Sequence, residues 1–295
     1  MISEDIISKV LDAIDPDELI SLTADLVKIN SVWDPVAGTS EQGAADHAAR
    51  WAHRQGFNVQ KDEVASGRPN VIITWRVGPG RRTLMFEGHT DVVTPGDNSA
   101  WRYDPFGAKI VGRRMDGRGT NDTKRNLAAM LIAMAALKRS GVKLGGTIIG
   151  GVLCDEEDQM LGVRNFIDRG HADAICGAII CEPQDGLICT RLKGALRAQV
   201  TVRGRMSHGA MPLAGLNTAP AVARLITDLH DLETEAVKRS GWDEHLGWPS
   251  FTPTVIQAPA RGAPQLNVMP GEAQVLVDIR TIPGQSHHDI KSKLS

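Results

Sequence analysis

Four short stretches carry the residues best suited to chemistry. They are Gly88-His89-Thr90-Asp91, the acidic run Asp155-Glu156-Glu157, Glu182 in Cys181-Glu182-Pro183, and Asp122 at the end of Gly117-Arg118-Gly119-Thr120-Asn121-Asp122. An imidazole grouped with several carboxylates is the donor set expected for zinc or a similar divalent ion. His89 and Asp91 are two residues apart, so on extended backbone both side chains face the same way. The Asp91 carboxylate can then accept the imidazole N–H, fixing the tautomer and strengthening the other ring nitrogen as a ligand. Glu156 and Glu157 are neighbours and point differently. One of them can ligate while the other takes a proton from an attacking water. A carboxylate bridging two ions, with others holding each from the side, would support metal-assisted hydrolysis.

Each stretch alone has an ordinary reading. An aspartate before a helix is usually an N-cap, and an acidic run or a histidine after a strand is usually solvated surface. Their placement along the chain argues for more. The apolar run 83–87 leads into His89, the run 147–154 into Asp155, and the run 174–181 into Glu182. In open α/β sheets the functional crevice lies beyond the carboxyl ends of the strands, where these groups would converge.

The remaining elements fit such a scaffold. Asp15 can cap a helix and Pro16 suits its first position, followed by Leu19, Leu22, Leu26 and Ile29 at helical spacing. A second helix is expected from Ser40, as N-cap, to Gly56, then strands over 57–64 and 70–77. An alanine- and methionine-rich helix should run from about Thr123 to near Gly141, and another helical stretch covers 162–169. This alternation predicts an α/β domain with a mostly parallel central sheet. After about Leu187 the texture changes: 195–202 alternates like a half-exposed strand, 218–232 reads as a helix, 274–279 as a strand, and a further helix begins near Ser286. That order predicts a smaller α+β, ferredoxin-like domain. The expected division is 1–190 and 191–295.

Composition narrows the functional classes. Thirty-three basic against thirty-five acidic residues give a net charge of -2, with no block of like charge to hold a nucleic acid or a membrane surface. The first twenty residues lack the order of a signal peptide. No apolar run approaches the roughly 20 residues that span a bilayer. A cytoplasmic protein is expected, and Cys154, Cys176, Cys181 and Cys189, without CxxC spacing, read as buried reduced thiols.

Read in order, GHTDVV (88–93), WRYDPFG (101–107), GRGTND (117–122), CDEE (154–157), CEP (181–183), KGALRAQVTVRGRMSHGA (193–210) and LNVMPGEAQVLVDIR (266–280) make a pattern over nearly the whole chain. It resembles the co-catalytic metallopeptidase family that includes acetylornithine deacetylase, succinyl-diaminopimelate desuccinylase, aminoacylase and carboxypeptidase G. The resemblance implies a zinc-peptidase-like catalytic domain and a lid or dimerisation domain. It further implies two zinc ions per subunit, for which cobalt can substitute, and hydrolysis of an amide bond in an N-acyl amino acid or short peptide. His89 and Glu182 would hold one metal, Glu157 the other, and Asp122 would bridge them. Asp91 would orient His89, and Glu156 would be the general base and acid. His208 would reach across a homodimer to stabilise the oxyanion in the partner's site, and Asn267 and Arg280 would hold substrate.

Two departures from that family's pattern stand out. Its bridging aspartate is normally followed by a Lys-Gly pair, whereas Thr123-Lys124-Arg125-Asn126 follows Asp122, and Asp116 replaces an aromatic residue before the GRG stretch. A larger, basic surface is expected there, at the mouth of the site. The family's chain also returns to the first domain with a strand and a histidine ligand for the second metal. His287 and His288 instead fall in the small domain's predicted helix. The first metal site is therefore expected to be complete and the second, partnered by Glu157, to lack a ligand. The alternatives left open are a non-catalytic binding or dimerising protein, and a dipeptidase or carboxypeptidase specificity.

Overall fold

Residues 3–184 and 186–294 are described by a computed structural model of the chain. The chain divides into two units, Met1–Gly186 and Leu187–Ser295.

In the first unit, helices α1 (Glu4–Asp12), α2 (Pro16–Val27) and α3 (Gln42–Arg54) precede strands β1 (Asn58–Ala65), β2 (Arg68–Gly78) and β3 (Thr83–His89). A small hairpin of β4 (Lys109–Val111) and β5 (Arg114–Asp116) leads to helix α4 (Lys124–Arg139). Strand β6 (Gly146–Leu153), helix α5 (Leu161–Asp168) and strand β7 (Ile175–Ile180) complete the unit. The central sheet has the order β1-β2-β6-β3-β7. β3 pairs parallel with both β6 and β7, and β2 runs antiparallel to both β1 and β6. Four of the five strands therefore share one direction, with β2 against them, giving the mostly parallel sheet expected.

Both faces of this sheet are covered, which is why its inner strands read as continuous apolar runs rather than alternating ones. Val71 and Ile73 of β2 face a core formed with Leu26, Trp51, Leu127 and Leu131 of α2, α3 and α4. Ile72, between them, packs with Met85, Leu153 and Phe166 of α5. Helix α4 is built from strong helix formers, and its alanines allow close approach to the sheet. Gly150 of β6 accommodates that approach: a Cβ there would lie 2.8 Å from the sulfur of Met134.

The second unit contains β8 (Gly194–Arg203), β9 (Ser207–His208), α6 (Ala219–Ser240), β10 (Ser250–Gln257), β11 (Val268–Met269), β12 (Glu272–Thr281) and α7 (His287–Leu294). β10, β12 and β8 form an antiparallel sheet with β12 in the centre. Ala273, Val275, Val277 and Ile279, alternate residues of β12, are buried against Val222, Leu229 and Ala236 of α6. β9 and β11 form a separate two-residue ladder that pairs His208 with Val268.

The differences from expectation have local causes. α1 lay outside the predicted elements; it buries none of its residues, so the face that packing would have marked stays exposed. The N-cap position of α3 belongs to Glu41, not Ser40, and the Glu41 side chain turns inward to an ion pair with Arg68. Of the four cysteines, Cys154 is buried and Cys181 half-buried, but Cys176 and Cys189 are exposed. Cys176 sits on β7, whose side chains are largely exposed at the sheet edge. Among the described residues, no helix is long and apolar enough to cross a membrane.

Leu131, 1% exposed on α4, sets a quantitative expectation for this core. Leu131→Ala should lower the unfolding free energy by about 2–5 kcal/mol in urea titrations. Leu11→Ala, at 60% exposure on α1, should stay within about 0.5 kcal/mol of the parent.

Candidate metal centre

Because β6, β3 and β7 are parallel neighbours, their carboxyl ends lie along one edge of the sheet. His89, the last residue of β3, is in register with Leu153, the last of β6, so the turn Asp155-Glu156-Glu157 starts just beyond it. On the other side Cys181 N–H donates to Glu87 O at 2.8 Å, which carries Glu182 to the level of His89. α4 begins at the same edge, where the Thr123 hydroxyl donates to Cys181 O at 2.9 Å. Asp122, just before α4, makes no cap: the helix's N-cap residue is Thr123, and the Asp122 carboxylate turns to His89 instead.

His89 is fully buried, and its Nε2 makes no hydrogen bond among the described residues. Around that nitrogen lie Asp122 Oδ1 at 3.3 Å, Glu182 Oε1 at 3.5 Å and Glu156 Oε2 at 3.9 Å. His89, Asp122 and Glu182 each offer a ligand atom within 4.8 Å of the others. A buried imidazole nitrogen without a donor or acceptor, ringed by anionic oxygens just beyond hydrogen-bond length, fits a divalent cation. The ring's other face is fixed. Nδ1 lies 3.1 Å from the Asp91 backbone carbonyl and 3.4 Å from Asp91 Oδ1, so the carbonyl shares the orienting role expected of the carboxylate alone.

The Asp91 carboxylate has a second task. Oδ1 accepts Glu156 N–H at 3.1 Å and Oδ2 accepts Glu157 N–H at 2.9 Å, so one side chain orients the histidine and fastens the acidic turn. Glu157 stands outside the three-residue ligand group, and burial together with the Asp122 charge pushes its carboxyl up to about 7. Glu182 is raised too, by burial, against the pull of His89. Burial opposes charge on the His89 ring, but the carboxylates of Asp122, Asp91 and Glu182 push it up to about 11. All of these shifts express one deficit, too much negative charge in a half-dry site, which a cation relieves.

Two ionisable residues here escaped the sequence reading. Glu87, two residues before His89 and hence on the same side of β3, is buried and pushed up to about 7, first by burial and then by Glu182, Glu156 and Asp91. Period-two geometry could have flagged it. Lys124 was expected as part of a basic surface, yet it is fully buried, and its Nζ donates to Ile29 O at 2.6 Å. Only Arg125 of that pair is exposed.

The residue pattern matched by the model of peptidase family M20/M25/M40 runs over residues 85–257, which contains this entire edge. The chain belongs to peptidase family M20/M25/M40. Among relatives, a succinyl-diaminopimelate desuccinylase of Cereibacter sphaeroides is 32% identical over 274 residues, spanning 90% of this chain and 68% of that protein. Among solved structures, the M20 family metallo-carboxypeptidase Sso-CP2 from Sulfolobus solfataricus aligns with TM-score 0.71 at 18% identity, over 94% of this chain and 74% of that one. The Bacillus subtilis YXEP protein, a dinuclear metal-binding peptidase of the M20 family, aligns with TM-score 0.56 at 15% identity, covering 94% and 67%. As an M20 member the chain is a metallo-hydrolase of amide bonds.

The other expected site residues lie in the second unit. His208 on β9 is exposed, and its Nδ1 accepts Ala210 N–H at 3.1 Å. The Asn267 amide nitrogen lies 3.3 Å from its Nε2. Arg280, half-buried on β12, has its Nε and one terminal nitrogen on the two Asp278 oxygens at 2.7 and 3.0 Å. Much of the fork expected to hold a substrate carboxylate is thus engaged within the strand.

Zinc added to metal-stripped protein should raise its melting temperature by about 5–10 °C at a hundredfold excess over the dissociation constant. The shift should shrink at acid pH as protons compete for the ligands. Calorimetry on His89→Ala should show no such shift.

Proposed function

We propose that this M20 member hydrolyses the amide bond of an N-acyl amino acid or short peptide, with desuccinylase- or deacetylase-like specificity in the cytoplasm. The observation that carries the reading is the buried, unpartnered His89 Nε2 facing the carboxylates of Asp122, Glu182 and Glu156. The 32% identity to a succinyl-diaminopimelate desuccinylase supports the substrate class. We assign His89 and Glu182 to one zinc, Glu157 to a second and Asp122 to the bridge, with cobalt as an effective substitute. When bound, metal at this centre would polarise the amide carbonyl and acidify the attacking water.

The chain's own residues do the rest. Asp91 and its backbone carbonyl hold the His89 ring, and the Asp91 carboxylate holds the Glu156-Glu157 backbone. Glu156 is the proton carrier. Its carboxylate faces the centre without a ligand-distance contact to His89, and its side chain is 38% exposed, open to substrate. It takes the proton of the attacking water and gives it to the leaving nitrogen, so the C–N bond breaks as an amine rather than as an amide anion. His208 donates a ring N–H to the oxyanion that develops on the carbonyl oxygen. In this reading residues 191–295 form a lid through which the chain forms a homodimer, and His208 serves the partner's site. Asn267 and Arg280 hold the substrate's polar end.

Glu156→Gln should lower kcat by about 10²–10⁴-fold while metal content by atomic absorption stays near that of the parent. Retained turnover would sink the assignment of the base. A panel of succinyl-diaminopimelate, acetylornithine and simple dipeptides, assayed by amine release, should show the N-acyl amino acids turned over fastest. Preference for dipeptides would replace the deacylase reading with a dipeptidase one.

A further inference from the structure

Away from the metal ligands, one cluster of buried charge touches the same turn. Arg68 opens β2 at 4% side-chain exposure, and Glu41 and Asp155 beside it are fully buried. Arg68 Nε donates to both Glu41 oxygens at 2.9 and 3.0 Å, and a terminal nitrogen donates to Asp155 Oδ1 at 2.6 Å. The guanidinium carbon lies 4.5 Å from the centre of the Trp33 ring. Taking two carboxylates and a guanidinium out of water is costly, and apolar residues of similar size would serve packing at least as well. The cluster therefore calls for a reason other than stability.

Asp155 supplies one. Its φ is +62°, the left-handed region that a non-glycine residue occupies only when its surroundings hold it there. Those surroundings are explicit. Oδ1 is held by Arg68, and Oδ2 accepts Gln159 N–H and Leu161 N–H, each at 3.1 Å. Asp155 O accepts Met160 N–H at 2.7 Å. Asn70, two residues from Arg68 on β2, accepts Cys154 N–H at 3.1 Å and donates to Gly162 O at 2.8 Å. Asp91 holds the next two backbone N–H groups. The turn is thus fastened at both ends and at its middle, and the Glu156 and Glu157 side chains are left out of the fastening.

We propose that Arg68, locked in orientation by Glu41, is a positioning residue that aims Glu156 and Glu157 by gripping Asp155. The proposal rests on reading Glu156 as the base and Glu157 as a ligand. The planar fork is what the task needs: Nε and Nη2 are fixed on Glu41, so the second N–H of that Nη2 points at Asp155 in one direction only. A lysine ammonium has the charge but no such fixed angle.

Two variants test it, each alone sufficient: Arg68→Lys, which keeps the charge, and the near-isosteric Glu41→Gln, which loosens the fork. Each is compared with the parent for kcat and KM on the best substrate of the panel, and for the visible absorption spectrum of the cobalt-loaded protein. Expected are a fall in kcat of about 10-fold to 100-fold, a KM within about threefold, and an altered cobalt spectrum, with the larger effect in Arg68→Lys. An unchanged kcat per folded molecule with an unchanged spectrum overturns the proposal, however far the melting temperature falls. The Glu156→Gln result separates the two readings. If that variant is inactive and the clamp variants are normal, only the clamp fails. If it turns over normally, the base assignment fails and the cobalt spectrum still decides whether Arg68 positions Glu157.

Discussion

A concentration of negative charge around one buried nitrogen governs this molecule's chemistry. Asp122, Glu156 and Glu182 all bring an oxygen within 4 Å of His89 Nε2, and Glu87, Glu157 and Asp91 lie in the same field. At such distances carboxylates in a partly desolvated site repel by several kcal/mol, and the protein alone can answer only by binding protons. Elevated values at Glu87, Glu157 and Glu182, and at His89, are that answer. A site that must be loaded with cations to be comfortable is a site for metal-assisted hydrolysis, and the M20 family match agrees with the chemistry read from the residues.

Holding like charges together requires a frame stiffer than the repulsion. The parallel trio β6, β3 and β7 provides the edge, and hydrogen bonds that cross it provide the stiffness. Thr90 N–H donates to Leu153 O at 2.8 Å, Ser31 Oγ to Thr90 O at 2.7 Å and Thr123 Oγ1 to Cys181 O at 2.9 Å. These tie each strand end to its neighbour or to an adjacent helix entry. Lys124 contributes in another way. Its ammonium, pushed down to about 7 by burial, sits in the field of Asp91 and reaches Ile29 O, so it anchors the start of α4 from below.

This division explains what was legible in the sequence. The strands β3 and β6, helix α4 and the ligand stretches beyond them announce themselves, because burial on both faces gives long apolar runs and a ligand at a strand end breaks them. His89, Asp122 and Glu182 meet as those runs suggest. Lys124, Glu41 and Arg68 gave no such signal. A buried charge has no periodicity of its own: it is justified by a partner far along the chain, as Glu41 and Asp155 lie 27 and 87 residues from Arg68. Composition and spacing see such residues only as surface. The exposed Cys176 marks the converse failure, since an apolar strand at a sheet edge looks in sequence like one in the middle.

Exposure separates the two kinds of charged residue once the structure is known. Arg68, Glu41 and Asp155 are at or below 4%, and each keeps one fixed set of neighbours. Asp122, Glu156 and Glu182 have side chains 50%, 38% and 29% exposed, although they belong to the same centre. A carboxylate that must meet a cation, a water or a leaving amine has to be reachable, and it cannot spend its hydrogen-bonding capacity on the scaffold. A group that only sets an angle does best where nothing else can compete for it. Asp91, 5% exposed by its side chain and bonded on one side to the ring and on the other to the acidic turn, is the residue where the two kinds join. Because its carboxylate is shared, a displacement of the turn carries directly to the histidine, and the frame and the metal centre move as one piece.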